Sequence, residues 1–217
     1  MKQDLESSSE PGVLTPSVPW DIGARTQQER ILKAMAKSCA EKSFSATTIA
    51  DIVGHASISR ATFYKHFANK RECFDATANS FLSELQRTAK AARASSDGSS
   101  SVSIRNVMAA VLDLLADKPN HTKVLLVEAP NVDPDIVRRY RLLILEALEA
   151  QQQAEKPAAS AGADPEVAFG RAKVLIVDYL AAGRVKELPS LLPELVYIAH
   201  LPYLGQELAL QQARLAK

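Results

Sequence analysis

Residues 47–70 read TTIADIVGHASISRATFYKHFANK, and the fold depends on how this stretch is parsed. Thr47 and Thr48 stand before an apolar-periodic run, the usual form of a helix start. Ile49, Ile52 and Val53 fall on one face at helical spacing. Gly54 to Ser57 interrupts that run. Ser59 offers a second N-cap, and Arg60 to Phe67 forms a second short helix. Phe63 and Phe67 lie four apart and share a face. Arg60, Tyr64 and Lys65 point elsewhere, towards solvent or a partner. The spacing predicts two short helices one turn apart, with a further helix starting near Lys70.

Working outward, Thr26 to Ala40 reads as a helix that buttresses this pair, with Ile31, Leu32, Met35, Ala36 and Cys39 as its apolar stripe. Phe44 plugs the loop that follows. A helix from about Lys70 to Arg93 carries Phe74, Ala78, Phe81, Leu82 and Leu85 on one side, and is long enough to connect two domains. Ala94 to Ser103 is a loop by composition. Beyond it every segment is helical in pattern: Ile104 to Ala116, a break at Lys118-Pro119, then His121 to Ala129. Asp133-Pro134-Asp135 opens a helix to about Gln153, and Asp164-Pro165-Glu166 repeats that start signal for one to about Gly183. Glu155 to Ala163 reads as a flexible loop. Ser190 to His200 and Gly205 to Lys217 complete the chain, with Pro202 interrupting between them. No strand alternation and no repeat of 20–50 residues is present. The expected fold class is all-α.

The 217 residues carry a net charge of only +1, unevenly spread. Residues 1–24 hold one lysine and four acids, and residues 25–70 hold eight Lys/Arg against three acids. Residues 71–217 are nearly balanced, at seventeen against eighteen. The basic excess coincides with the two short helices, the electrostatic footprint of a duplex-binding module. Two short helices one turn apart, the second presenting Arg, Tyr, Lys and His, describe a helix-turn-helix DNA reader.

At these residues the chain resembles the tetracycline-repressor (TetR-type) family of regulators. The resemblance rests on Arg30-Ile31-Leu32, Thr47-Thr48-Ile49, Asp51-Ile52, Ala56, Ile58-Ser59, Thr62-Phe63-Tyr64, His66-Phe67 and Asn69-Lys70, and runs roughly from Arg30 to Phe74. It implies an N-terminal three-helix DNA-binding domain and a C-terminal helical domain for ligand binding and dimerisation. The implied organisation is an N-terminal arm over 1–24, rich in Ser and Pro and expected to be disordered, with Trp20 as a candidate to pack back. The reader then occupies 25–70 and the regulatory domain 71–217.

The resemblance assigns roles by position. Thr47 would cap the second helix, and Thr48 would bind a phosphate with its hydroxyl and N–H at the helix N-terminus. Ser59, Thr62, Tyr64 and His66 would contact phosphates, which position the protein without reading sequence. Lys70 would clamp a flanking phosphate. Arg60 is the best base reader, because its planar fork matches guanine O6 and N7. Ala61 would touch a thymine methyl, and Lys65 would reach a base or a phosphate.

Against these stand plainer readings. Phe63, Phe67, Ile49, Ile52 and Ile58 are core by periodicity. Asp51 is an exposed or helix-end charge, His55 a solvated turn residue, and Lys37 and Lys42 solvated charges. Ser43 and Ser57 occupy places where the family usually has glycine in a left-handed conformation, which costs another residue about 1 kcal/mol. Ala50 replaces a polar side chain that often adds a contact.

The implied partners are double-stranded DNA carrying a palindromic operator, a second copy of the chain, and a small-molecule effector. The dimer interface would lie at about Asp164–Gly183 and Ser190–His200. Met108, His121, Glu128, Tyr140, Asp178 and Tyr179 are polar or adaptable residues on apolar helices, but the ligand-binding residues stay unassigned. No Gly-rich phosphate loop, GxSxG, HExxH or metal-spaced Cys/His set occurs, so no catalytic residue, cofactor or metal is expected. No apolar run is long enough for a membrane span and the start lacks a signal-peptide pattern. Cys39 and Cys73 lack CxxC spacing and read as reduced core thiols in a cytoplasmic protein. The expected function is a sequence-specific transcriptional regulator, a repressor released by its effector. The alternative is a DNA-binding protein on the same fold without a small-molecule ligand, either an activator or a chromosome-organising factor.

Overall fold

The computed structural model describes residues 19–96, 100–152 and 164–216. Most of the expected arm, the whole of the expected 155–163 loop and the centre of the 94–103 loop lie outside these residues. Among the described residues the chain is all-helical.

Helix α1 spans Pro19–Lys42. It starts earlier than the apolar stripe suggested, so residues 19–24 belong to a helix and not to the arm. Ile31, Met35, Ala36 and Cys39 are wholly buried and Leu32 packs beside them. Helix α2 (Ile49–Ala56) and helix α3 (Arg60–His66) follow. Ser43 and Ser57 adopt positive φ, 75° and 51°, as expected of positions where glycine is usual. Ser57 ends α2 there, with its N–H on the carbonyls of Gly54 and Val53.

Helix α4 (Lys70–Ala94) begins at an Asn69 cap, whose Oδ1 accepts the Glu72 N–H at 2.9 Å. Glu72 returns the bond, accepting the Ala68 N–H at 2.7 Å. At about 1.5 Å per residue α4 runs over 35 Å, from the reader into the second half of the molecule. Cys73, Phe74, Thr77, Ala78, Phe81 and Leu82 form its buried side. Both cysteines are free and buried. Burial pushes the Cys39 thiol up to about 11 and the Cys73 thiol up to about 12, so both stay protonated and unreactive.

Helix α5 (Ser100–Asp117) takes in residues 100–103, which composition had suggested were loop. Lys118 breaks the chain direction at φ −120° and ψ 60°, and Pro119 opens α6 (Pro119–Lys123). A π-helical turn, Val124–Glu128, links α6 to α7 (Ala129–Val132). The helical ladder is already interrupted here, because Pro130 has no N–H to give. Helix α8 covers Pro134–Gln152 and α9 covers Pro165–Ala181. Both repeat one start device: Asp133 accepts the Asp135 N–H at 3.0 Å and Asp164 accepts the Glu166 N–H at 2.8 Å.

A 3-10 segment, Val185–Leu191, leads into α10 (Leu192–Arg214). Pro202 does not end this helix; the bend falls at Gly205, at φ 76°. Leu191, Leu195, Val196 and Ile198 are buried within the protomer. Apolar residues left outward include Val167 and Val174 on α9, Leu208 on α10 and Leu215 at its C-cap, each 50–63 % exposed. Each pair is seven apart and so shares a helix face. Among the described residues no helix is long and apolar enough to cross a membrane.

The left-handed Ser57 makes a direct prediction. Ser57→Gly is expected to stabilise the chain by about 0.5 kcal/mol, and the β-branched Ser57→Val to destabilise it by more than about 1 kcal/mol. Urea unfolding midpoints check both.

Candidate nucleic-acid interface

The two short helices are held by caps that their own sequence supplies. Thr48 is the N-cap of α2, in extended conformation at φ −112° and ψ 161°. Its hydroxyl accepts the Asp51 N–H at 3.2 Å, and Asp51 accepts the Thr48 N–H at 2.9 Å. This is a reciprocal capping box. Lys42 closes it from α1, with Nζ 2.6 Å from Asp51 Oδ1. That hydrogen bond, then those from Thr48, hold the Asp51 carboxyl well below the usual carboxylate range. Lys42 is therefore a paired charge and not simply a solvated one. At the other end of α2, Arg30 donates to the carbonyls of Ala56 (2.5 Å) and Ser57 (3.2 Å), which the ended helix leaves without intrahelical donors. His55 lies in the last turn of α2, not in the turn that follows. Its Nδ1 is 3.0 Å from Ser38 Oγ and its Nε2 3.6 Å from Glu41.

Helix α3 is capped by Ser59, whose Oγ accepts the Thr62 N–H at 3.0 Å and lies 2.9 Å from the Thr62 hydroxyl. Phe63 and Phe67 are buried and anchor the helix. Arg60, Ala61, Tyr64 and Lys65 are exposed at positions i, i+1, i+4 and i+5, which share one face of a helix. Tyr64 is 54 % exposed and rests edge-on against Phe63, with centroids 5.5 Å apart. Among the described residues Arg60 and Lys65 have no hydrogen-bond or ion-pair partner. His66 is half-buried, with Nε2 3.5 Å from Gln27 Oε1.

Three expected contacts sit differently. Thr47 is 1 % exposed and its hydroxyl donates to Ser43 O at 2.7 Å. It neither caps α2 nor presents its side chain outward. Thr48 caps the helix instead, and its N–H is committed to Asp51. Lys70 is turned inward: Nζ donates to the carbonyls of Phe44 (2.8 Å), Ser45 (3.3 Å) and Thr47 (2.7 Å). It also lies over the Phe44 ring, 4.4 Å from the centroid. An ammonium has three donors, and all three are engaged within the protein.

Residues 31–77 match the family model described as "Bacterial regulatory proteins, tetR family". Residues 31–77 therefore carry the DNA-binding segment of a TetR-type regulator. That segment marks a DNA-binding transcriptional regulator. No curated protein sequence matches the chain. Among solved structures it is similar to the fatty acid degradation regulator FadR from Bacillus halodurans. That pair is 14 % identical with a TM-score of 0.69, over 83 % of this chain and 96 % of that one. It is also similar to a TetR family transcription regulator from Marinobacter aquaeolei VT8, at 17 % identity and a TM-score of 0.61, over 79 % and 96 %. A third is FadR from Bacillus subtilis in complex with stearoyl-CoA, at 17 % identity and a TM-score of 0.62, over 82 % and 98 %. At such identities the likeness is one of fold, and it extends through the C-terminal helices that the family model does not cover.

Beyond the reader, the chain holds a cavity of about 270 Å³ between α4, α5, α8, α9, α10 and the π turn. Met108 and Tyr140 line it; His121, Glu128, Asp178 and Tyr179 do not. His121 packs on Phe81, with centroids 5.5 Å apart, and burial, then Lys118, push its pKa down. Glu128 accepts the Phe44 N–H at 2.9 Å, and Lys123 donates to Ala40 O at 2.5 Å. The segment that walls the cavity therefore also grips the end of α1 and the loop before α2. Neither contact was apparent from the sequence, where the partners lie 83 and 84 residues apart.

Lys70 separates a brace from a phosphate clamp. Lys70→Met is expected to lower stability by about 2–3 kcal/mol, since it leaves carbonyls without their charged donor. It should leave the salt dependence of DNA affinity unchanged. A clamp would instead reduce the log–log salt slope by about one. Urea unfolding and fluorescence anisotropy over a salt series separate the two.

Proposed function

We propose that the protein is a homodimeric repressor. It reads a palindromic operator with α3 and is released when a small molecule fills the C-terminal cavity. The observation that carries the reading half is the outward face of α3, where Arg60, Ala61, Tyr64 and Lys65 stand free while every cap beneath them is satisfied. In this reading Arg60 takes a guanine edge and Ala61 a thymine methyl. Thr48, Ser59, Thr62, Tyr64, Lys65 and His66 lie against phosphates and set the register.

A seven-residue helix buries little surface alone. Two related copies on half-sites about 34 Å apart give the affinity that one cannot. The outward Val167 and Val174 of α9, with Leu208 of α10 and Leu215 at its C-cap, are an apolar surface suited to a two-fold interface. The Ser190–His200 segment contributes less than its sequence suggests, because its leucines already fill the protomer.

Release follows from the π turn. Leu125 lines the cavity, and Glu128, three residues on, holds the Phe44 N–H. A ligand that prefers one arrangement of this turn biases the loop before α2, and with α4 sets the separation of the two heads. The presence of the cavity favours this reading over a ligand-free chromosome organiser.

Two outcomes are expected. Arg60→Ala should relax preference at one base step by about 1–3 kcal/mol, measured on single-base operator variants; equal losses on every sequence would exclude base reading. Val174→Asp should shift the protein to monomer in sedimentation and weaken operator binding far more than it weakens folding. The operator itself comes from selection on fragmented genomic DNA at physiological salt, where a few palindromic sites are expected. Many dispersed sites would favour the organising alternative.

A further inference from the structure

The wall of the cavity restricts what can enter it. It is built almost wholly of apolar side chains, among them Leu82, Val111, Leu125, Ile176 and Leu195. A ligand with polar groups along its body would lose their hydration there and find few partners, Gln86 being the one side-chain amide on the wall. Two polar side chains meet at one place on this wall. Tyr140, on α8, is only 4 % exposed, and its hydroxyl is buried without a hydrogen-bond partner. Lys173, on α9, reaches over the Tyr140 ring with Nζ 5.9 Å from the centroid. Among the described residues Lys173 makes no ion pair. A buried hydroxyl is ordinarily paired, so one left open beside an uncompensated cation marks where a polar atom belongs.

Resting on the effector reading above, we propose that this cavity takes a short amphiphile, an apolar body carrying one carboxylate head held by Tyr140 Oη and Lys173 Nζ. Size follows from volume. A cavity of ~150 Å³ accepts benzene, so one of about 270 Å³ takes a body of roughly a dozen non-hydrogen atoms. That is a chain near ten carbons, not the stearoyl-CoA bound by the similar Bacillus subtilis structure. A coenzyme A head is polyanionic, and the described wall offers one cation.

The test uses the purified full-length chain and isothermal titration with decanoate below its micelle concentration, with decanol and stearoyl-CoA as comparisons. One saturable decanoate site per chain is expected. Tyr140→Phe should weaken it about tenfold or more, the loss of a hydrogen bond to a charged group. The same variant should unfold at or above the wild-type temperature without ligand, because it removes an unpaired hydroxyl. Lys173→Gln should weaken decanoate comparably and leave decanol unchanged. The proposal is overturned by the absence of saturable decanoate binding, by wild-type affinity in both variants, or by stearoyl-CoA binding tenfold tighter than decanoate. Operator release is followed separately by anisotropy. Saturable decanoate binding without release would support this ligand class while overturning the effector role.

Discussion

A single ammonium group ties the start of α4 to the loop between α1 and α2. The loop between α1 and α2 is not helical, so the carbonyls of Phe44, Ser45 and Thr47 lie outside any helical ladder, and such groups are seldom left unpaired when withdrawn from water. Lys70 Nζ supplies these three carbonyls at once and rests on the ring of Phe44. Phe44 in turn packs edge-on against Phe74, with centroids 4.8 Å apart, and gives its N–H to Glu128. The start of α2, the start of α4 and the π turn thus converge on one loop. This loop leads directly into the capping box at Thr48, while buried Phe63 and Phe67 set the exposed face of α3.

That convergence gives the molecule a physical route between its halves. Packed cores are bistable and not smoothly deformable, so a change at the cavity wall passes on where an element has an alternative ladder. The Val124–Glu128 turn is the irregular point of this wall: its bonds run in π register, and Pro130 has no N–H to complete an α-helical ladder. One side of this short segment lines the cavity, and the other holds backbone groups of the reader.

The C-terminal helices divide their apolar residues between two tasks. Leu191, Leu195, Val196 and Ile198 close the protomer around α5 and the cavity, while α9 keeps Val167 and Val174 outside. Hydrophobicity alone treats these residues alike. Their separation depends on which side of each helix meets its neighbour, and on the bend at Gly205 that redirects the last turns of α10.

Much of the architecture was legible from side-chain spacing and helix punctuation. The apolar stripe of α1, the Phe63–Phe67 anchor and the Asp-Pro starts of α8 and α9 follow from local rules, because a helix face and a cap involve residues no more than a few apart; the left-handed positions of Ser43 and Ser57 follow from the family resemblance instead. The same rules distinguished the outward side of α3 from its buried side. They did not determine the one-residue choice between Thr47 and Thr48 as cap, since both residue types can cap and the contact of Thr47 with Ser43 decides between them. They also missed the inward turn of Lys70, the pairing of Lys42 with Asp51, the hold of Glu128 on Phe44, and the meeting of Tyr140 with Lys173 on the cavity wall. Long polar side chains choose among partners up to 84 residues away in sequence. Periodicity states which face a residue occupies; only the packed structure states what lies opposite it.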